Sequence, residues 1–213
     1  MRLPLLVLLL QVLLPLVLVL KVTTVPPLLD VPTYSLATVG ADGTTGMNIL
    51  TYATPVSVKP TRMWSIGLFR GTVAHENFSK SREGVLQLLK EPHSDVVRLL
   101  GGSSGRDVDK KAGCAAAGFP WIESGIEFNV ALKGLPLVSP FLLPGCAYYI
   151  HLRLEGDLID AGGHDVAVCS VVAMFVNDDD ACVKDAEDAK MSYLSTAALR
   201  DMGIISELGR VVE

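Results

Sequence analysis

The stretch from residue 47 to residue 77, MNILTYATPVSVKPTRMWSIGLFRGTVAHEN, constrains the fold of this chain more than any other. Residues 47–58 and 62–69 read as strands, separated by a Lys59-Pro60-Thr61 corner. In the second run Trp64, Ile66 and Leu68 share a face, which makes Trp64 a core residue. In the first, Asn48, Thr51, Thr54 and Ser57 interleave with apolar positions. One face of that strand therefore packs, and the other presents hydrogen-bonding groups. Arg70-Gly71-Thr72 then leads into a helix-like segment.

The rest of the chain alternates between the two periods. Residues 34–39 begin the sheet and stop at Gly40-Ala41-Asp42-Gly43, a turn of residues that tolerate positive φ. Residues 75–89 predict a helix, with Phe78, Val85, Leu86 and Leu89 on one stripe opposite Glu76, Lys80, Glu83 and Lys90. Glu91-Pro92 ends it, and residues 94–100 predict a shorter helix closed by Gly101-Gly102. Residues 101–118 read as a loop carrying Arg106, Lys110 and Lys111 as solvated charges, within reach of a phosphate or a partner subunit. Residues 126–132 and 150–154 alternate as half-buried strands, while 166–176 are nearly all apolar and predict a strand covered on both sides. An acidic break at 177–180 precedes short helices within 193–208. Several strands with a few inserted helices give a mainly β (α+β) barrel.

At 213 residues and a net charge of −5, the chain suits one acidic domain and offers no electrostatic footprint for nucleic acid. Residues 1–21 form a hydrophobic leader, either signal peptide or membrane anchor, which predicts entry into the secretory route or a membrane-bounded organelle. Residues 22–33 are a Pro-rich linker and 34–213 the domain, with a C-terminal helical tail. Cys114, Cys146, Cys169 and Cys182 lack metal-ligand spacing, so no metal is expected and the thiols read as reduced and mostly buried. The chain carries no Gly-x-Gly-x-x-Gly or Walker motif, and His75, His93, His151 and His164 are not spaced as a cluster.

Asn48-Ile49-Leu50-Thr51, followed by Pro55-Val56-Ser57-Val58-Lys59-Pro60 and an Arg- and Thr-bearing loop ending in Asn77, resembles the flavin reductase-like family of FMN-binding split barrels. The likeness runs, with gaps, from about residue 34 to residue 176. Thr61 replaces the corner's second proline, Lys59 stands where an acidic residue is common, and the spacing from Thr72 to Asn77 is longer than usual.

The resemblance implies an FMN-binding oxidoreductase that takes hydride from NADH or NADPH and passes electrons to a small-molecule acceptor, working as a homodimer. Carried over by position, Asn48, Ile49, Thr51, Tyr52 and Thr54 lie along the ring and ribityl chain, Ser57 is a further cofactor-binding candidate at the corner, and Arg70, Thr72 and Asn77 hold the phosphate. A Gly-Asp-His element of the family matches at His164, with Gly163 in place of the acidic residue; His164 is thus the catalytic candidate beside the nicotinamide. Two alternatives remain open: a flavin- or haem-binding module without turnover, and a pyridoxamine phosphate oxidase-like enzyme using Arg106, Lys110 and Lys111.

Overall fold

The computed structural model describes residue 23 and residues 27–128, 138–176 and 192–212. The leader, most of the expected 126–132 strand and the acidic 177–191 segment, Cys182 included, lie outside the described residues. Eight antiparallel strands form one sheet: β1 (Tyr34–Val39), β2 (Thr45–Leu50), β3 (Ala53–Ser57), β4 (Met63–Phe69), β5 (Glu83–Leu88), β8 (Tyr148–Leu154), β9 (Ile159–Ala161) and β10 (His164–Phe175). Their order is β2-β1-β5-β8-β10-β4-β3, with β9 on β10; β6 (Ile122–Glu123) and β7 (Phe141–Leu142) pair separately. Helices α1 (Val73–Ser81), α2 (Ser94–Gly102), α3 (Lys110–Ala116) and α4 (Thr196–Asp201) decorate it. Among the described residues no helix is long and apolar enough to cross a membrane.

The connectivity forces the sheet to curl. β2 and β3 stand at opposite ends of the strand order, yet Thr51 and Tyr52 are all that separates them in sequence. Two linking residues span at most about 11 Å from Leu50 to Ala53, so the two ends must come together. The Gly67 N–H donates to the Tyr52 carbonyl at 2.8 Å and pins that junction to β4.

Curling puts one apolar core inside the barrel and another outside it. Leu36, Leu50, Ile66, Phe78, Leu86 and Leu152 fill the interior. Ala37, Met47 and Val85 face the other way, against Val96, Val97 and Leu100 of α2 and Leu199 of α4. Neighbours on β1 and β5 thus serve opposite cores, and both strands are buried along their whole length. The C-terminal stretch closes the outer core and also docks the end of the Pro-rich segment: Thr33 donates to the Leu194 carbonyl at 2.8 Å and Thr196 to that of Val31 at 2.9 Å.

The structure differs from the sequence expectation at four places. Residues 47–58 are two strands, broken where the Ala53 N–H turns back to the Thr51 carbonyl at 3.1 Å. The helix expected over 75–89 stops at Ser81; Arg82 takes the left-handed conformation (φ 60°), and 83–88 become β5. Glu83, expected on a solvated face, is 3% exposed between His151 and Arg153. The charges of 101–118 are engaged, and α3 forms among them with Asp109 as its cap. Finally, β10 is not covered on both sides: Ala167 and Cys169 are fully buried, whereas Val172, Met174 and Phe175 are exposed.

Candidate functional site

A cavity of about 1140 Å³ opens along β2. Among the described strands β2 pairs with β1 alone, so its other edge is free to face this space. The opposite walls are the Gly71–Ala74 turn into α1, the Gly101–Gly105 loop after α2, Lys110 and Lys111 of α3, Trp121, Phe141 and the C-terminal residues 208–211. Ligand cavities commonly run to about 300–1,000 Å³, so this one has room for more than one small molecule.

Its lining is chemically uneven. Of the four buried side-chain polar atoms without a hydrogen bond among the described residues, Asn48 Oδ1 and Trp121 Nε1 belong to cavity-lining residues. Trp121 Nε1 has the Cys114 thiol beside it, a weak acceptor. Buried polar groups ordinarily find partners, so these two are a reason to look for a ligand. Lys110 is 8% exposed, and its Nζ donates to the Leu100 carbonyl at 2.6 Å and the Met47 carbonyl at 3.1 Å. Burial pushes its ammonium down to about 8. Lys111 Nζ lies 3.5 Å from the Phe141 ring centroid. With Arg210, the lining carries three basic residues against the single carboxylate of Asp109, in a chain whose net charge is −5. That imbalance suits an anionic ligand.

His164 stands where this cavity meets a smaller groove on β3, β4 and β10; Thr51, Tyr52, Gly67 and His164 line both. The His164 ring packs edge-on to Tyr52 and tilted to Phe69, each at 5.2 Å between centroids. Partial burial, and secondarily the nearby Arg210 charge, holds its pKa below the usual histidine value, so the ring is neutral at pH 7. Its position is set by an ion cluster one residue on. Asp165 accepts from Arg70 Nε at 2.8 Å and pairs with His75 Nε2 at 2.7 Å, and Arg70 also reaches Asp160 at 3.0 Å. Hydrogen bonds from Arg70, then His75, hold the Asp165 carboxyl below its ordinary range.

The residues marked in the sequence divide accordingly. Asn48, Ile49, Thr51, Tyr52, Thr72 and His164 line the cavity, and Thr54 lines the groove. Thr72 caps α1, accepting from the His75 N–H and donating to the Phe69 carbonyl at 2.8 Å. Ser57, Arg70 and Asn77 line neither space. The Ser57 hydroxyl donates to the Lys59 carbonyl at 3.2 Å, and the Asn77 amide packs against Gly46 and reaches Thr38 at 3.4 Å. Arg106 is bound to Glu76 and the Gly71 carbonyl, which ties the α2–α3 loop to the α1 turn. Sequence reading missed Trp121 and Arg210 altogether; neither sits in a motif, and tertiary packing alone brings them here.

Residues 30–187 match the profile of the Flavin reductase like domain. The chain belongs to the flavin reductase-like family, a family of flavin-binding oxidoreductases. No curated protein matches the sequence. Solved structures share the fold at low identity. The Streptomyces globisporus NADH:FAD oxidoreductase SgcE6 is 13% identical, with 70% of this chain and 77% of that one covered at a TM-score of 0.55. Flavoredoxin from Methanosarcina acetivorans is 14% identical, with 76% and 77% covered at 0.58. An FMN-binding protein from Thermus thermophilus, solved with p-hydroxybenzaldehyde, is 20% identical, with 76% and 83% covered at 0.58.

Proposed function

We propose that this protein binds FMN in the β2 cavity, accepts hydride there from NADH or NADPH and passes the electrons to a small-molecule acceptor. The observation that carries this reading is the free β2 edge beside the unpaired buried Asn48 Oδ1 and a Trp121 Nε1 that meets a weak thiol acceptor, in a cavity lined with excess positive charge. A flavin ring has hydrogen-bonding groups of both kinds on a flat apolar body, so an orphan acceptor (Asn48) and a weakly held donor (Trp121) fit it. When bound, the flavin supplies the two-electron chemistry.

The chain's own residues bind and orient. Asn48, Ile49, Thr51 and Tyr52 form the wall along the ring. The start of α1, capped by Thr72, offers first-turn backbone N–H groups to the phosphate. Thr54 and the neutral His164 bound the groove in which a nicotinamide would approach. Arg70, Ser57 and Asn77 act one step removed: Arg70 fixes the turn before His164, Ser57 the corner, and Asn77 the β1–β2 hairpin. We further propose a homodimer, supported by the exposed Tyr52, Val56, Val58, Val172, Met174 and Phe175 on the β3 and β10 side. The apolar leader would direct the protein to the secretory route or an organelle membrane.

The test is an absorption spectrum of the protein expressed from about Val25, after FMN is added and the excess removed, before and after NADH or NADPH under argon. A retained flavin band that bleaches on reduction is expected. A protein that takes up no FMN at micromolar concentration ends the reading. One that holds flavin but does not bleach reduces it to a carrier.

A further inference from the structure

We propose that Arg210, and not Arg70, is the phosphate-binding guanidinium of this site; the inference rests on the nucleotide-binding reading above and assigns the charge that reading requires. The family resemblance points to Arg70, but that side chain is spent on Asp160 and Asp165. Arg106, in the loop facing the α1 turn, is held by Glu76 and the Gly71 carbonyl. Lys110 is buried against two carbonyls.

Arg210 is different. Its guanidinium carbon lies 5.1 Å from the Phe69 ring centroid, and no side-chain hydrogen bond or ion pair is formed by it among the described residues. Contact with a ring face leaves its N–H fork available, and that planar fork matches a phosphate in a way an ammonium does not. Phe69 links the parts: its carbonyl takes the Thr72 hydroxyl at the start of α1, its ring carries Arg210, and His164 packs beside it.

The chain also holds Arg210 in place. Residues 205–211 fold back on themselves, with an Ile205–Val211 bridge, Ser206 N–H to the Arg210 carbonyl at 2.7 Å and Gly209 at φ 74° in the turn. Arg98 clamps the base through the Val212 carbonyl and through that of Gly203 at 2.7 Å. A positioned, donor-rich cation is therefore presented at the exposed rim of a cavity that already favours anions.

The phosphate ester has two sources, the flavin's own and the pyrophosphate of the nicotinamide donor, and one variant separates them. Arg210→Ala touches no buried contact and is expected to fold as the wild type does. If the flavin phosphate is the partner, FMN affinity falls about tenfold while riboflavin affinity holds. If the donor is the partner, binding of NAD+ by calorimetry and the KM for NADH weaken by a similar factor, while reduction by N-benzyl-dihydronicotinamide, which has no phosphate, is unchanged. Arg210→Lys should recover part of either loss, and Arg70→Ala should leave the FMN-to-riboflavin ratio as it is.

Equal losses with phosphorylated and phosphate-free ligands, no loss in either comparison, or the loss appearing in Lys111→Ala instead would overturn the assignment. Should the wild type take up no flavin at all, titration with inorganic pyrophosphate decides separately. Binding that vanishes in Arg210→Ala keeps the anion site without the flavin, and no binding removes both.

Discussion

The two halves of the sheet are built to different rules. β1 and β5 are buried at every residue, β8 at most of its positions, because the barrel interior packs on one side and α2, α4 and the C-terminal segment on the other. β10, β4 and β3 turn Ala167, Cys169, Ile66 and Leu68 inward, but their outer side is bare, with Val56, Val58, Val172, Met174 and Phe175 exposed. The covered half has two cores and stores stability. The bare half has one core and carries the site's entrance at His164. The same chain thus separates what must not move from what must be approached.

The sharpest way to break this contrast is to disturb the covered half. Glu83 on β5 is 3% exposed and accepts from Arg153 Nε at 2.8 Å, with His151 Nε2 at 3.0 Å. Glu83→Gln takes the carboxylate away from the partly exposed Arg153 and the buried His151, and losing a hydrogen bond to a charged group ordinarily costs about 1.5–3 kcal/mol. For a chain of this size, about 2 kcal/mol lowers Tm by roughly 4–8 °C. Burial alone would raise the Glu83 pKa, but the bonds from His151 and Arg153 outweigh it and the net shift is downward. A depressed carboxyl stabilises above its unfolded pKa of about 4.3 and loses that contribution as pH falls through the folded value. The wild type's advantage over Glu83→Gln should therefore shrink below about pH 4. Calorimetry from pH 3 to 7 checks both parts, and a pH-independent difference would mean that Glu83 is not ionised in the fold.

That strand was also where the sequence misled. Period-two alternation reveals strands with one wet face, so β4 and β8 were legible from Trp64-Ile66-Leu68 and Ile150-Leu152-Leu154. β5, buried on both faces, has no polar alternation to show, and Val85, Leu86 and Leu89 happen to fit a helical stripe as well. The break lies in the conformation of Arg82, which no propensity marks. Gly84 was the available hint: a Cβ there would meet Leu36 and Phe78 at 3.1 Å. The site divides in the same way. Asn48, Thr51 and Tyr52 were legible because they share one local strand and its turn. Arg70 was credited with a free charge because Asp165, its partner, lies 95 residues away in sequence. Arg210 carried no signal because packing alone brings it to Phe69.

A second test sits at the free edge of β2, next to the site. Lys110 titrates near 8 in the fold because burial disfavours its charge, against about 10.4 when unfolded. Between those values the unfolded chain binds more protons, so this group makes stability rise with pH across that window. Relative to Lys110→Met, the wild type should gain roughly 2 kcal/mol from pH 8 to pH 10.4. Comparing the two variants cancels the opposing contribution of buried Tyr149, Cys146 and Cys169, whose pKa values burial raises. Urea titrations at several pH values measure the difference. Parallel curves would place the Lys110 ammonium in contact with solvent.

The smallest effect on stability is expected on the bare half, and its size is what makes it informative. Val172 and Met174 are 42% and 38% exposed, so Val172→Lys with Met174→Lys removes little buried area from a single chain and should change its unfolding free energy by about 0.5 kcal/mol or less. If a second copy covers this face, the same two charges would be desolvated at an apolar contact, and the assembly should fall apart while each chain stays folded. Sedimentation velocity would then give a dimer for the wild type and a monomer for the variant, with matching circular dichroism. A monomeric wild type would leave the exposed valines and Met174 without a partner copy. An unfolded variant would mean instead that this face belongs to the chain's own core, and the contrast between the two halves would be lost.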